Sequence, residues 1–273
     1  MLCAGICALV TGFAQNDSTA KNQPDTLKIG GMVIIRERGN VRDHDEREDR
    51  WEKDKNRKPG KRSPVTTNWI IVDFGFSNYV DDTKYGTAAV DAIANGSTKD
   101  WFKLRTISSV NFDLWFFMQR ISLIKRAVNF KYGLGIEFNN YRLDDKQVHV
   151  SKNPFEVDHS FPADLKKNKL AADYLTMPFM LNVNFTPKMR RPHGFSAGVS
   201  VGYLLSGRQK IKEDGGDKHK TKGLDFDDWK IAYVGEVSLG IIHLYGTYAL
   251  NSLFTNENLN MTPYTIGIRF SNW

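Results

Sequence analysis

Cysteine is nearly missing from this 273-residue chain: Cys3 and Cys7, its two copies, both fall in the first seven residues. Without that segment the protein has neither a disulfide nor a thiol site to rely on. Also missing is any run of about 18 consecutive apolar residues, which excludes a transmembrane helix but not a barrel of alternating strands. There is no Gly-rich phosphate loop, no nucleophile elbow and no helix with a basic face. The formal charge of +7 comes from 38 Lys and Arg against 31 Asp and Glu, spread over loops and one mixed tract. No nucleic-acid partner is therefore expected. His193, His219 and His243 stand apart, and Glu213-Asp214-Gly215-Gly216-Asp217 lacks the spacing and terminal Glu of a calcium loop. No cofactor and no metal site is expected.

What is present begins with MLCAGICALVTGFAQ, apolar, rich in small residues and followed by a polar stretch. Residues 1–15 read as the apolar region and cleavage end of a secretory signal, although the usual basic start is missing. Ile6 before Cys7 fits a lipid-attachment box poorly, so export without a lipid is expected. Residues 16–64 read as a disordered periplasmic tail. Leu27 to Arg36 is a short β-prone run, and Arg36 to Arg62 holds eleven Lys or Arg against eight Asp or Glu. Interspersed charge of that density cannot bury enough apolar surface to fold alone. The tail is a candidate docking segment for a periplasmic or outer-membrane protein partner.

From Asn68 onward the chain alternates with period 2, which no helix tolerates. In the clearest segment Val128, Phe130, Tyr132, Leu134, Ile136 and Phe138 share one face, against Asn129, Lys131, Gly133, Gly135, Glu137 and Asn139. The separation recurs in segments near 70–77, 109–118, 175–185, 195–203, 230–239, 241–250 and 264–271, making eight strands. In the second of these, Val110, Phe112, Leu114, Phe116 and Met118 are assigned to the apolar face, against Ser109, Asn111 and Asp113. Pro178 removes a ladder donor, and a bulge is expected there. Trp273 is out of phase with Phe270, so the last strand stops at Phe270 or shifts register.

Links after the odd strands are long, roughly 79–103, 143–168, 207–227 and 251–261, and those after the even strands are short. That two-sided asymmetry matches barrels with long extracellular loops and short periplasmic turns. Trp69, Tyr79, Trp101, Tyr141, Tyr174, Trp229, Tyr248 and Tyr264 sit toward strand ends, where an interfacial girdle belongs. The polar face carries Asp73, Asp113, Glu137 and Glu236 against Lys131, Lys230 and Arg269. Each Lys or Arg would cost roughly 2–4 kcal/mol against mid-bilayer lipid. Eight strands leave room only for side chains inside. These seven residues are therefore expected to form a polar network plugging the lumen. The reading is an all-β, closed, antiparallel, up-and-down eight-stranded transmembrane barrel over residues 65–273, with outer-membrane lipid as its partner.

Tyr174-Leu175-Thr176-Met177-Pro178-Phe179-Met180-Leu181 and Gly202-Tyr203-Leu204-Leu205-Ser206-Gly207 resemble the outer-membrane β-barrel family of Bacteroidetes that includes PorT-like proteins. The resemblance covers about residues 68–273 and implies an eight-stranded outer-membrane barrel with no catalytic motif. PorT-like members imply a link to protein secretion. A non-enzymatic anchor, surface or secretion-associated component is the leading expectation. One rival is a barrel enzyme acting on lipid, for which His149, Asp158, His159 and Ser160 supply triad residue types at no fixed spacing. Another is a soluble lipocalin-like barrel binding an apolar ligand.

Overall fold

In this computed structural model the described residues are 63–271 without 153, 163–164, 190 and 214–217, plus the backbone of two short strands. Those two, β1 (Asp25–Ile29) and β2 (Met32–Arg36), pair as an antiparallel hairpin within a separate unit, Met1–Arg62. The signal at 1–15 and the rest of the 16–64 tail up to Arg62 lie outside the described residues.

The second unit, Ser63–Trp273, is a barrel. Its strands are β3 (Val65–Asp81), β4 (Val110–Ile124), β5 (Val128–Arg142), β8 (Lys167–Asn184), β9 (Gly194–Lys212), β11 (Trp229–Leu239), β12 (Ile242–Ala249) and β13 (Met261–Phe270). Each pairs antiparallel with the next in the chain, and β13 returns to β3, so no barrel strand is left as an edge. The long connections carry α1 (Ala88–Asp91), the hairpin β6 (His149–Ser151) and β7 (Glu156–Asp158), and β10 (Lys218–Lys222). β10 pairs with the outer end of β9 and forms the rim of the wall. The opposite end has tight turns: Lys125 and Arg126 both adopt positive φ, 41° and 64°, and Gly240 takes 83° where a Cβ would be strained.

Phe74, Leu181 and Ile266 are exposed on the outer surface, while Asp73, Lys131, Asn139 and Glu236 are buried in the lumen. The lipocalin-like alternative requires the reverse. Pairs of glycines and aromatics fill the narrow interior. A Cβ on Gly135 would lie 2.6 Å from the Trp115 ring, and one on Gly267 would lie 2.6 Å from Tyr245.

Three details differ from the sequence reading. β4 runs on to Ile124, and a register shift between Trp115 and Phe117 inverts its phase. Met118 is therefore buried inward instead of facing lipid, beside Trp115. At Pro178 there is no bulge. Pairing with β9 is continuous from Tyr174 to Asn184, and the register with β5 is the same on either side of the proline. The missing N–H interrupts the β5 ladder opposite Gly133 and Leu134 without displacing it. Third, Tyr79, Tyr141 and Tyr174 are not girdle residues: all three are buried inside the outer mouth. Trp69, Trp229 and Tyr248 do face outward. β13 stops at Phe270, and Trp273 lies outside the described residues.

Candidate functional site: the lumen and its outer cap

Alternation sends one side chain in two toward the barrel axis, and in this chain those positions carry the charge. Arg269 on β13 is the centre. Its Nη2 lies 2.7 Å from Asp73 Oδ2 on β3, its Nε 2.9 Å from Asp73 Oδ1, and its Nη1 2.7 Å from Glu236 Oε2 on β11. Glu236 Oε1 accepts from Lys131 Nζ on β5 at 2.6 Å and lies 2.9 Å from His243 Nδ1 on β12. Trp115 Nε1 donates to Asp73 Oδ2 at 2.7 Å, and the Arg269 guanidinium stands 5.1 Å from the Trp115 ring and 5.5 Å from the Tyr245 ring. This set ties together six strands across the axis.

Nearer the outer mouth Lys230 pairs with Glu137 and lies 5.5 Å from the Tyr174 ring. Asp113 is the one charged lumen residue of the seven with no ion pair among the described residues. It sits directly opposite Asp73 and accepts a hydrogen bond from Asn111 Nδ2 at 2.6 Å. Asn111 also accepts from Tyr245 Oη and donates to Asn139 at 3.1 Å. In a low-dielectric tube, breaking one partner of such a pair leaves an uncompensated charge, at a cost of about 3–5 kcal/mol.

Trp115 and Tyr245 were not singled out from the sequence, and His243, read there as isolated, joins the network. For His243 the signal was there: His243 and Tyr245 alternate with Ile242 and Leu244. For Trp115 the signal was there too, since a strict count from Val110 puts residue 115 inward, and the bulge beyond it misplaces only Met118.

Above the charged section the interior chemistry reverses. Tyr79, Phe102, Tyr141, Tyr174, Phe226 and Phe254 belong to one apolar cluster joining strand ends to the long loops. Phe226 and Phe254 meet with ring centroids 5.2 Å apart, and Tyr79 and Tyr141 at 5.7 Å. The β6–β7 hairpin folds over this cluster, held by Gln209, which donates to Val148 O at 2.9 Å and accepts from Val150 N at 3.1 Å.

The four triad-type residues of that loop do not converge on one another. His149 Nδ1 lies 3.4 Å from Asp158 Oδ2, and His159 Nε2 lies 2.8 Å from Asp145 Oδ2 with its ring stacked on Trp101. Ser160 donates its backbone N–H to Asp158, and no hydrogen bond joins its hydroxyl to either imidazole among the described residues. His219 pairs with Glu213 at 3.2 Å, while 214–217 lie outside the described residues, as does Arg190. No group of three metal-ligating side chains occurs among the described residues.

The family model described as outer membrane protein beta-barrel domain matches residues 72–255, well over half of the chain. This chain belongs to that family. Outer-membrane barrel is thus its class. Similar solved structures include Ail, the attachment invasion locus protein of Yersinia pestis, 11% identical, covering 75% of this chain and 98% of Ail with a TM-score of 0.30. Neisserial surface protein A is 10% identical and covers 76% of this chain and 97% of its own, with a TM-score of 0.31. No curated protein matches the chain. The matched span carries the lumen charges Asp73, Asp113, Lys131, Glu137, Lys230 and Glu236. Arg269 lies beyond it.

Proposed function

We propose that this outer-membrane barrel is a non-enzymatic membrane anchor that displays its long loops as a folded platform on the cell surface. The observation that carries this is double closure. An ionic ladder crosses the lumen from Asp73 through Arg269 and Glu236 to Lys131, and an apolar cap covers the mouth above it. A tube shut by ions in one section and by packed rings in the next gives solutes no route. In planar bilayers the protein is expected to give no conductance steps; reproducible steps in folded protein would overturn the reading.

The separated His149–Asp158 and His159–Asp145 pairs support the absence of catalysis on lipid. Lipid A mass spectra should be the same from cells carrying wild type and the His159→Ala, Ser160→Ala double variant; a difference would restore the enzyme reading. Export through residues 1–15, a Bacteroidetes PorT-like role in secretion and a protein partner for residues 16–64 belong to the same proposal. They rest on the apolar start, the quoted strand motifs and the charged tract. Cross-linking from residues 36–62 in cells tests the partner.

A further inference from the structure

The wall formed by β8, β9 and β10 rises past the apolar belt. On β9 the belt ends with Tyr203 and Leu205, both exposed. A register shift between β8 and β9 at Asp173/Tyr174 makes Leu205 the extra residue. Below it the odd positions of β9 face outward; above it Gly207, Gln209 and Ile211 turn inward, so Arg208, Lys210 and Lys212 face outward. On β8 the outward positions are Lys169 and Lys167.

Register then assembles a grid. Arg142 on β5 opposes Lys169, which opposes Lys210, which opposes Lys220 on β10. One step further out, Lys167 opposes Lys212, which opposes Lys218. Like charges directly opposite on adjacent strands destabilise a sheet. Lysines on a rim strand blunt edge-to-edge pairing, which accounts for β10. It does not account for Arg142, Lys169 or Lys210, whose strands are paired on both sides.

Among the described residues the nearby carboxylates are already engaged: Asp173 with Arg208 and Glu213 with His219. Among the described residues Lys169 Nζ donates to the Asn140 side-chain carbonyl, at 2.6 Å. Its place above the lipid belt, partly buried and beside Lys167 and Lys210, pulls its amine down to about 8. Behind the grid, Asn168 and Gln209 both donate to the Val148 carbonyl at the start of the β6–β7 hairpin. A basin of about 420 Å³ lies among Lys167, Lys169, Lys210, Lys212, Lys218 and Lys220.

We propose that this face binds the phosphate groups of the lipopolysaccharide standing beside the barrel. The grid looks in the same direction as the lipid-facing surface directly below it. Lys210 lies five residues past Leu205, roughly 17 Å along the strand and about 13 Å in height at a tilt near 40°. At that height the neighbour is the phosphorylated core saccharide of the outer leaflet. The inference rests on the surface orientation of the long loops.

The test uses full-length protein refolded in lipopolysaccharide-free detergent and titrated with rough lipopolysaccharide that keeps its complete phosphorylated core, with and without its phosphates removed by hydrogen fluoride. Wild type should prefer the phosphorylated form, and Lys169→Gln with Lys210→Gln should weaken that binding by about tenfold or more. Lys188→Gln with Arg191→Gln, at the opposite end, should leave it unchanged. Heat-modified gel mobility verifies that each variant is folded. Equal binding of the dephosphorylated form, or equal losses in both double variants, would overturn the inference. Orientation is read separately, by labelling Lys220→Cys on intact cells with an impermeant maleimide. No labelling removes the platform reading and this inference with it, whereas labelling without phosphate-dependent binding removes the inference alone.

Discussion

The charged section of the lumen is built by the barrel strands and the cap above it by strand ends and the long loops, and their chemistry is opposite. Around Arg269 the ions point in and Phe74, Leu181 and Ile266 point out; around Phe254 the rings point in and lysines point out. The difference teaches that the solvent beside the wall decides which side is greasy. Where lipid lies outside, apolar side chains satisfy it and charge must be paired inside. Where water lies outside, the ordinary hydrophobic core returns. The β9 strand changes its outward phase at Leu205, at the border between the two.

The strongest way to break this comparison is to remove the centre of the ionic section. Arg269→Leu leaves Asp73 and Glu236 buried without their guanidinium and should lower stability by about 3–5 kcal/mol, read as a shift in urea unfolding in detergent. A variant as stable as wild type would mean that the ladder contributes nothing. Next comes the cap. Phe254→Ala opens a hole in a fully buried site and should cost about 3 kcal/mol. It should also speed proteolysis within 143–166 while leaving the barrel's heat-modified mobility intact. If both sections unfolded together at every dose, the two would be one cooperative unit.

A smaller effect separates the wet wall from the membrane section by pH. The Lys169 amine in the folded protein titrates well below its ordinary range, so between about 8 and the unfolded value near 10.4 the unfolded chain binds more protons. Its charge therefore destabilises the fold fully below pH 8, and stability should rise as pH climbs through that window. In Lys169→Gln this part of the rise should disappear; an identical pH profile would contradict it. The smallest effect is expected at the tight turns. Arg126→Gly relieves a positive φ and should stabilise by about 0.5–1 kcal/mol in the same urea titration. A loss of stability would mean the side chain matters more than the backbone.

Much of the fold was legible because period 2 and a two-sided loop asymmetry survive in a single sequence. The segment from Val128 to Phe138 assigned its own faces without any knowledge of partners. What stayed hidden depends on strand pairing. Phe116 cannot be recognised as an extra residue from the sequence around it, so Met118 was placed on the wrong face. Tyr79, Tyr141 and Tyr174 look like girdle residues because they lie near strand ends. Yet each is in phase with the lumen residues of its own strand, Asp73, Lys131 and Thr176, and the loops with Phe102, Phe226 and Phe254 only cover them. The charges Asp73, Lys131, Glu236 and Arg269 could be assigned to a face, but which acid meets which base is set by closure between β13 and β3. The lysine grid is invisible in the chain for the same reason: Arg142, Lys169, Lys210 and Lys220 become neighbours only through three registers.

The central claim is that lipid touches one face of every strand in the membrane section. It is tested most directly by nitroxide labels placed one at a time from Met177 to Val183 in protein lacking Cys3 and Cys7, reconstituted in bilayers. Collisions with dissolved oxygen should alternate, high at 177, 179, 181 and 183 and low at 178, 180 and 182, with a water-soluble nickel complex excluded from both sets. High oxygen collision at 180 and 182, or free access of nickel to 179 and 181, would contradict it.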